Sequence, residues 1–243
     1  MLVFLFVKKD NRCMEKRIEA FQTLADTFAK NGYKLYLVGG TVRDYLLGIT
    51  LEDMDAVTDA TPIEIVKFLP DVDTTFAHLG SLKYKDANGI KFDITTLREE
   101  SGYLDSRHPS KVIFVKDPAD DYRRRDFTVN AMYMDRDLKI YDFCGGQKDL
   151  QKRLLRMVGN PDQRLKEDPL RILRAIRFHL MYNFKIEDSL MEAMRDRFYL
   201  LKNITDAKIE SEMSKIDLTK STREAKEEIF SQFDIANLHG VVK

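Results

Sequence analysis

Cysteine and histidine are both scarce in this sequence. Its 243 residues include two cysteines, Cys13 and Cys144, and four histidines scattered along the chain. Two cysteines cannot form a disulfide framework, and their spacing matches no zinc site. No two histidines stand in a His-x-x-x-His arrangement. We therefore expect neither a disulfide-stabilised scaffold nor a metal site built from histidine and cysteine.

Long apolar segments and an excess of charge of one sign are also missing. The apolar run at residues 2–7 is far shorter than the ~20 residues that span a bilayer, and it lacks the basic flank of a signal peptide. The 40 Lys and Arg residues balance 40 Asp and Glu, so net charge gives no general argument for nucleic-acid binding. With 44% hydrophobic and 33% charged residues, the sequence predicts a cytoplasmic globular protein of one large or two small domains.

Basic residues are nevertheless concentrated in two places. Lys and Arg outnumber Asp and Glu between residues 151 and 185, and residues 123–125 are consecutive arginines. Clusters of this kind can neutralise the phosphates of a nucleotide or of RNA. The alternative is a solvated helix face, which composition alone favours.

Hydrophobic periodicity and turn residues divide the chain into a mixed α/β part of about 150 residues and a helical part after it. The predicted strands are 33–38, 53–58, 74–77, 82–85, 89–95, 132–134 and 139–143. The predicted helices of the first part are one that ends at residues 31–32, and 41–47, 61–69 and 118–131. Residues 98–111 are polar and rich in turn-forming residues, which predicts a mobile loop.

A glycine pair followed by two carboxylates is the most informative pattern. Gly39 and Gly40 allow the backbone to approach an anion closely, and Arg43 adds a positive charge beside them. On a strand, Asp53 and Asp55 point to the same face, so both can hold Mg²⁺. This combination is typical of metal-assisted chemistry on a nucleoside triphosphate.

Asp93 lies in a second predicted strand, which we expect beside the strand of Asp53 and Asp55. Three carboxylates on neighbouring strands can anchor two Mg²⁺ ions that act on an attacking hydroxyl and a triphosphate. The alternative is that Asp53 and Asp55 occupy a solvated turn and that Asp93 is an edge-strand charge.

Residues 124–130 combine arginines with residues of buried character. An arginine held in this segment can reach phosphate oxygens through a bidentate contact, and Asp126 is a candidate to orient it. The alternative is a network of ion pairs that braces a helix.

Asp168 and Arg171 are predicted on one face of a helix that begins at Glu167. A carboxylate beside an arginine offers the acceptor and donor that match cytosine and adenine, but not guanine and uracil. The alternative is a surface ion pair. Arg174 and Arg177, farther along, serve either phosphates or the helix scaffold.

Four motifs in order resemble those of bacterial-type (class II) CCA-adding tRNA nucleotidyltransferases, and bacterial poly(A) polymerases share much of the set. The resemblance covers about residues 34–216. The motifs are Gly39-Gly-x-Val-Arg-Asp-x-Leu-Leu-Gly48, Asp53-x-Asp55, Arg124-Arg-Asp-Phe-Thr-Val-Asn-Ala-Met132 and Glu167-Asp-x-x-Arg171.

The resemblance implies an α+β fold, with a polymerase-β-like nucleotidyltransferase head at residues 1–150 and an all-helical neck at residues 151–243. It implies Mg²⁺ on Asp53 and Asp55, with Asp93 as the third catalytic carboxylate. The loop at residues 103–109 corresponds to a flexible element that assists the switch from C to A addition. The residues that it assigns to the nucleotide are Gly39, Gly40, Arg43, Arg125, Asp168, Arg171, Arg174 and Arg177.

The expected activity is addition of CMP and/or AMP from CTP and ATP to the 3′ end of RNA, most directly tRNA, with release of pyrophosphate. Members of this family usually continue with helical body and tail domains that hold tRNA. We expect that grip to be largely absent here or supplied by a separate chain. The alternatives are poly(A) addition, addition of C alone or A alone, and a non-catalytic remnant that binds RNA or a partner.

Overall fold

The computed structural model describes residues 11–51, 54–103 and 109–235. Backbone proximity divides the chain into two compact units. The first unit comprises the described residues within Met1–Glu100, Val112–Arg125 and Asn130–Cys144. The second comprises those within Ser101–Lys111, Asp126–Val129 and Gly145–Lys243. The functional division into a head at 1–150 and a neck at 151–243 stays a prediction.

A mixed six-stranded sheet lies at the centre of the first unit. The strands up to residue 142 are β1 (Leu35–Val38), β2 (Met54–Thr58), β3 (Ser81–Lys85), β4 (Lys91–Thr96), β5 (Arg98–Tyr103), β6 (Pro109–Phe114), β7 (Met132–Met134) and β8 (Ile140–Asp142). The sheet has the order β3-β4-β2-β1-β7-β8, and β5 pairs with β6. Strands β2 and β4 are parallel, whereas the other neighbours in the sheet are antiparallel.

Four helices accompany this sheet within the described part of the first unit: α1 (Asn11–Lys30), α2 (Gly40–Leu46), α3 (Pro62–Phe68) and α4 (Pro118–Asp121). Helix α1 buries Phe21, Leu24 and Phe28, which recur at helical spacing as the sequence predicts. Burial of each of these side chains contributes about 1.5–3 kcal/mol. The amphipathic helix α1 contacts β1, a strand that is buried at every residue.

Helix α3 begins where its capping residues predict. Thr61 is the N-cap residue, Pro62 is the first helical residue, and the Thr61 N–H donates to the Glu64 carboxylate at 2.7 Å. The two side chains form a capping box, which satisfies N–H groups that have no partner inside the helix. The helix therefore starts at the position that its own sequence specifies.

The second unit is mainly helical. Its helices are α5 (Gly146–Gln151), α6 (Pro161–Glu167), α7 (Leu170–Tyr182), α8 (Asp188–Arg197), α9 (Asp206–Met213) and α10 (Arg223–Gln232). A short parallel pair, β9 (Leu154–Leu155) and β10 (Lys185–Ile186), adds two strands to a part that the sequence predicts to be all helical. Helix α7 buries nine of its 13 residues, and the Phe178 ring packs edge-on against Phe127 with 5.5 Å between ring centres.

Three local predictions are wrong. Residues 98–103 and 109–114 form strands β5 and β6, although a mobile loop was expected across 98–111. Strand pairing satisfies the backbone there despite the polar side chains. Residues 104–108, the centre of the predicted flexible element, lie outside the described residues. Residues 74–77 form no strand; a 3₁₀ turn, Ala77–Leu79, follows them instead.

The third difference is the predicted helix at residues 118–131, which is broken into short pieces. Helix α4 ends at Asp121, and Arg125 has extended backbone angles, φ −71° and ψ 164°. Beyond it, Thr128 donates its N–H to the Arg156 carbonyl at 2.9 Å. This pairing with a distant segment competes with helical hydrogen bonds, so tertiary structure overrides the local propensity.

No helix in the described ranges combines the length and apolar character needed to cross a membrane.

Candidate functional site

Asp55 and Asp93 are direct partners across the parallel pair β2 and β4. Neighbouring strands lie about 4.8 Å apart and directly paired residues point to the same face, so the two carboxylates share one surface. Asp55 is the exposed residue of an otherwise buried strand, and the Asp93 side chain is 45% exposed. The predicted adjacency of the two strands is confirmed. Asp53, the other predicted carboxylate, lies outside the described residues.

A cavity of about 420 Å³ opens over these carboxylates within the first unit. Charged, hydroxyl and apolar side chains all contribute to its wall. The residues that line the cavity include Asp55, Asp93, Arg98, Arg124, Arg125, Phe76, Leu79 and Ser81.

The glycine turn lies directly beside an arginine of this cavity. Gly39 has φ +66° and ψ −130°, a conformation that side chains strongly disfavour. A Cβ atom on Gly39 would lie 3.8 Å from Arg125 Nη1, so the turn and the guanidinium are close neighbours. Thr41, in the first turn of α2, accepts a hydrogen bond from the Asp55 N–H at 2.9 Å. The turn, the arginine and the carboxylate strand are therefore connected.

Arg43 is buried and held by side chains of the first unit. Its Nη1 donates to Asn130 Oδ1 at 2.7 Å, and its Nε and Nη2 donate to the Asp44 carboxylate at 2.9 Å. Its guanidinium also approaches the position that a Cβ atom on Gly40 would take, at 3.4 Å. Phosphate contact by Arg43 stays a prediction, and Asn130, which the sequence interpretation missed, is its partner.

Asp121 is the carboxylate that orients the cavity arginines. It is fully buried and accepts from Arg124 Nε at 2.7 Å and from Arg125 Nη2 at 2.8 Å. The Tyr133 hydroxyl donates to the same carboxylate at 2.7 Å and accepts from Arg125 Nε at 2.9 Å. The prediction that Asp126 orients the arginine is wrong, because Asp121 makes these contacts. The spacing of Asp121 to these arginines, i+3 and i+4, was the signal that could have identified it.

The charges of this cluster stabilise one another. Burial alone would raise the pKa of Asp121, but Arg125 and Arg124 outweigh it and hold the pKa well below its usual range. Burial acts to lower the pKa of Arg125, and Asp121 more than reverses that effect. Burial raises the pKa of Tyr133, so its hydroxyl keeps its proton. Burial is the largest influence on Arg124 and lowers the pKa of that guanidinium, so Arg125 carries the more firmly held charge at the cavity wall.

Asp168 and Arg171 belong to different elements of the second unit. Helix α6 ends at Glu167 and α7 begins at Leu170, so the predicted helix starting at Glu167 is wrong. Asp168 Oδ1 accepts from the Leu170 N–H at 3.2 Å. Arg171 Nη1 donates to the Arg164 carbonyl at 2.7 Å. Contact of either side chain with a base stays a prediction.

Arg174 and Arg177 form ion pairs inside the second unit. Arg174 Nη2 lies 2.5 Å from Asp126 Oδ2, and Asp126 raises the pKa of Arg174. Arg177 Nε donates to Glu212 Oε1 at 2.6 Å. The sequence left two roles open for these arginines, contact with phosphates and support of the helix scaffold. The contacts in the structure are of the second kind.

The described residues contain no cluster of three or more His, Cys, Asp or Glu side chains arranged to hold a metal ion. Asp53 lies outside those residues. Within them, Asp55 and Asp93 offer paired carboxylates on adjacent strands.

Comparison with known proteins agrees with the fold. The family model for the poly A polymerase head domain matches residues 35–156. The CCA-adding enzyme of Ligilactobacillus salivarius (strain UCC118) is 41% identical over 81% of this chain and 48% of the relative. That of Lactobacillus helveticus (strain DPC 4571) is 39% identical over 86% of this chain and 51% of the relative.

Two solved structures share the fold. The Bacillus stearothermophilus CCA-adding enzyme in complex with CTP matches with a TM-score of 0.75 and 31% identity, covering 82% of this chain and 48% of that one. The Thermotoga maritima CCA-adding enzyme complexed with tRNA matches with a TM-score of 0.69 and 25% identity, covering 92% and 54%. The chain thus spans about half the length of the relatives that it matches.

Proposed function

Because the chain belongs to the poly(A) polymerase head-domain family, we propose that it is an RNA nucleotidyltransferase that adds CMP and AMP, from CTP and ATP, to the 3′ end of tRNA. The observation that carries this proposal is the register pair Asp55–Asp93 beneath a cavity that Arg124 and Arg125 also line. Carboxylates beside fixed cations match a reaction in which a triphosphate is held and cleaved. The relatives named as CCA-adding enzymes support tRNA as the acceptor, which would place the reaction in the cytoplasm.

The carboxylate pair fits Mg²⁺. Asp55 and Asp93 offer hard oxygen ligands on one face of adjacent strands, which is the donor chemistry that Mg²⁺ prefers. We assign the metal to Asp55 and Asp53, with Asp93 as the third catalytic carboxylate. When bound, Mg²⁺ stabilises charge on the phosphates and favours deprotonation of an attacking hydroxyl.

The protein's own residues bind and orient the reactants. Arg125, held by Asp121, offers a charge to the triphosphate beside the Gly39 turn, where the backbone can approach closely. Gly40 and Arg43 belong to the same proposed triphosphate site. In the second unit, Asp168 and Arg171 would select the base, and Arg174 and Arg177 would complete that pocket.

In the proposed reaction, the RNA 3′-hydroxyl oxygen forms a bond to the α-phosphorus while the α–β phosphoanhydride bond breaks. The hydroxyl proton is lost to solvent and pyrophosphate carries the leaving electron pair. Most of the rate enhancement comes from positioning and electrostatic stabilisation, because the protein forms no covalent bond in this step.

The test is incubation of the purified chain with Mg²⁺, each labelled nucleoside triphosphate, and tRNA lacking its 3′ CCA, with products resolved at single-nucleotide length. Addition of C, C and A followed by a stop supports the proposal. Asp55→Asn is the negative control. Absence of incorporation, also after supply of the C-terminal half of a relative's chain as a separate protein, would contradict it and favour a non-catalytic RNA-binding role.

Poly(A) addition is the second candidate, because the matching family model takes its description from poly(A) polymerase. The same experiment separates the two: a long ladder made from ATP alone indicates polyadenylation. Incorporation of C alone or A alone would indicate a partial enzyme.

A further inference from the structure

Two large apolar side chains remain exposed at the cavity that contains the carboxylates. Phe76 is 44% exposed and Leu79 is 56% exposed, and both line the cavity together with Asp93. Burial of such a side chain stabilises the folded state by about 1.5–3 kcal/mol, and these two exposed side chains do not make that contribution in full. Exposed apolar groups at a site are explained by a ligand that covers them.

The segment that carries these side chains is firmly built. Phe76 is the N-cap residue of the 3₁₀ turn Ala77–Leu79, and Gly80 ends the turn with φ +79°. The Phe114 ring lies against Gly80, where a Cβ atom would come within 2.9 Å of it. Arg98 Nη1 donates to the Leu79 carbonyl at 2.7 Å. The two apolar side chains are therefore presented by fixed backbone.

A cation that is paired with a carboxylate lies beside the Phe76 ring. The Lys83 ammonium lies 6.0 Å from the ring centre and 3.9 Å from Asp93 Oδ1. An aromatic face beside an ammonium group matches a nucleotide, because the base can stack on the ring while the phosphate meets the cation. A nucleobase with its phosphate matches this combination of apolar face and cation.

The sheet order distinguishes the two reactants that bring a base. The Gly39 turn follows β1, and Arg125 bonds Tyr133 of β7 and lies near Gly39, so both belong to the β1 side of β2. Phe76 and Leu79 lie with Ser81 and Lys83 of β3, at the other end of the sheet, beyond β4. In-line phosphoryl transfer places the attacking and leaving oxygens on opposite sides of the phosphorus. With the triphosphate bound at Arg125 and the Gly39 turn, the acceptor RNA enters from the side of β3.

We propose that Phe76 and Leu79 form a stacking platform for the 3′-terminal base of the acceptor RNA, with Lys83 near its phosphate. The inference rests on the proposed function. Stacking on an apolar surface tolerates every base, because each has a π-face. A platform of this kind suits an acceptor whose terminal base changes after each addition.

The kinetic test compares Phe76→Leu, which keeps apolar bulk, with Phe76→Tyr, which keeps the ring. Loss of one stacked base is expected to raise the KM for RNA about tenfold in Phe76→Leu, with the KM for CTP unchanged and Phe76→Tyr close to wild type. Ile63→Ala, which removes an exposed apolar side chain from α3, is the matched control. A raised KM for CTP, or an unchanged KM for RNA, overturns the platform.

A binding test needs no turnover. The sequence contains no tryptophan, so with selective excitation of the indole the tryptophan emission of Phe76→Trp comes from position 76 alone. RNA with a normal 3′-terminal nucleotide should quench this emission, whereas the same RNA with an abasic 3′ terminus should bind with much less quenching. Equal quenching by both, or quenching by CTP instead of RNA, overturns the platform.

The two tests separate two kinds of failure. A wild-type chain that transfers nothing, also after supply of the C-terminal half of a relative's chain, contradicts the proposed function, while the fluorescence result still decides whether a base stacks on Phe76. A wild-type chain that is active but insensitive to Phe76→Leu contradicts only the platform. Equal thermal stability of the Phe76 and Ile63 variants establishes that neither result comes from misfolding.

Discussion

Asp55 and Asp93 are 38 residues apart in the chain but directly paired in the parallel ladder of β2 and β4. The register brings their carboxylates to one face, because paired residues on adjacent strands point the same way. Two like charges held this close repel each other unless a cation or solvent lies between them. The pair therefore marks the part of the sheet where a cation and a triphosphate would bind together.

Replacing Asp55 with Asn should remove catalysis and leave the fold intact. The loss of one charged oxygen from the proposed metal site should lower kcat by more than about a hundredfold, whereas an exposed side chain changes the free energy of unfolding by only about 0.5 kcal/mol. Single-turnover kinetics and thermal unfolding measure the two effects. Asp71→Asn, at an exposed carboxylate after α3, is the control. Full activity in Asp55→Asn would refute the metal assignment.

Gly39→Ala should lower both stability and CTP affinity. A side chain at φ +66° and ψ −130° costs about 1–3 kcal/mol, and relief of that strain would shift the turn beside Arg125. Gly32→Ala is the matched control, since Gly32 also has positive φ, and its Cβ position has no described heavy atom within 4 Å. Calorimetric titration with CTP should separate the variants. Equal CTP affinity in both would exclude a role for the Gly39 turn in binding.

Tyr133→Phe should weaken triphosphate binding without abolishing folding. The variant loses the hydroxyl that bonds Arg125 and Asp121, at a cost of about 1–2 kcal/mol in the free energy of unfolding. A less restrained Arg125 should raise the KM for CTP several-fold more than the KM for RNA. Tyr36→Phe, at another buried tyrosine of the first unit, is the control. Equal changes in both KM values would indicate general destabilisation instead.

Asp121 should contribute to stability over a defined pH range. Its folded pKa lies below the unfolded value of about 3.9. The unfolded state therefore binds the proton first, so the contribution is complete above about pH 4–5 and is lost as the pH falls through the folded pKa. The measurement is the difference in unfolding free energy between wild type and Asp121→Asn at several pH values. A difference that grows on acidification would contradict the assignment.

Asp168→Ala should reduce discrimination among the four nucleoside triphosphates. Removal of the proposed acceptor should narrow the preference for CTP and ATP over GTP and UTP by about 1–3 kcal/mol. Ratios of kcat/KM for the four triphosphates measure the effect. Asp188→Ala, at a highly exposed carboxylate of the same unit, is the control. Unchanged ratios would refute base reading by Asp168 and leave it a structural role, which includes the contact with the Leu170 N–H.

Several predictions that rest on neighbouring residues agree with the structure, whereas the helix predicted at residues 118–131 does not. The apolar spacing of α1 from Phe21 to Phe28 and the capping box of Thr61 and Glu64 act within one or two helical turns. Gly39 follows the predicted strand as expected, and it has a positive φ, which glycine adopts readily. Each of these features is specified by residues that are close in the chain, so the sequence is sufficient to predict them.

Predictions that require a distant partner agree less well. Asp126 was expected to orient Arg125, but it pairs with Arg174, and Asp121 takes the orienting role. The paired strands at residues 98–103 and 109–114 were expected as a loop because their polar residues give weak strand signals. In both cases several partners are chemically equivalent, and only packing selects among them.

The sequence by itself determined the residue types and their local setting: a glycine turn, carboxylates on short strands, and arginines in two clusters. Tertiary structure alone decided that Asp55 faces Asp93, that Asp121 holds Arg124 and Arg125, and that Phe76 stays exposed beside Lys83. The physical reason is the distance along the chain over which each interaction acts. Turns and caps depend on backbone energies over a few residues, whereas strand register and buried ion pairs are selected by the free energy of packing the whole unit.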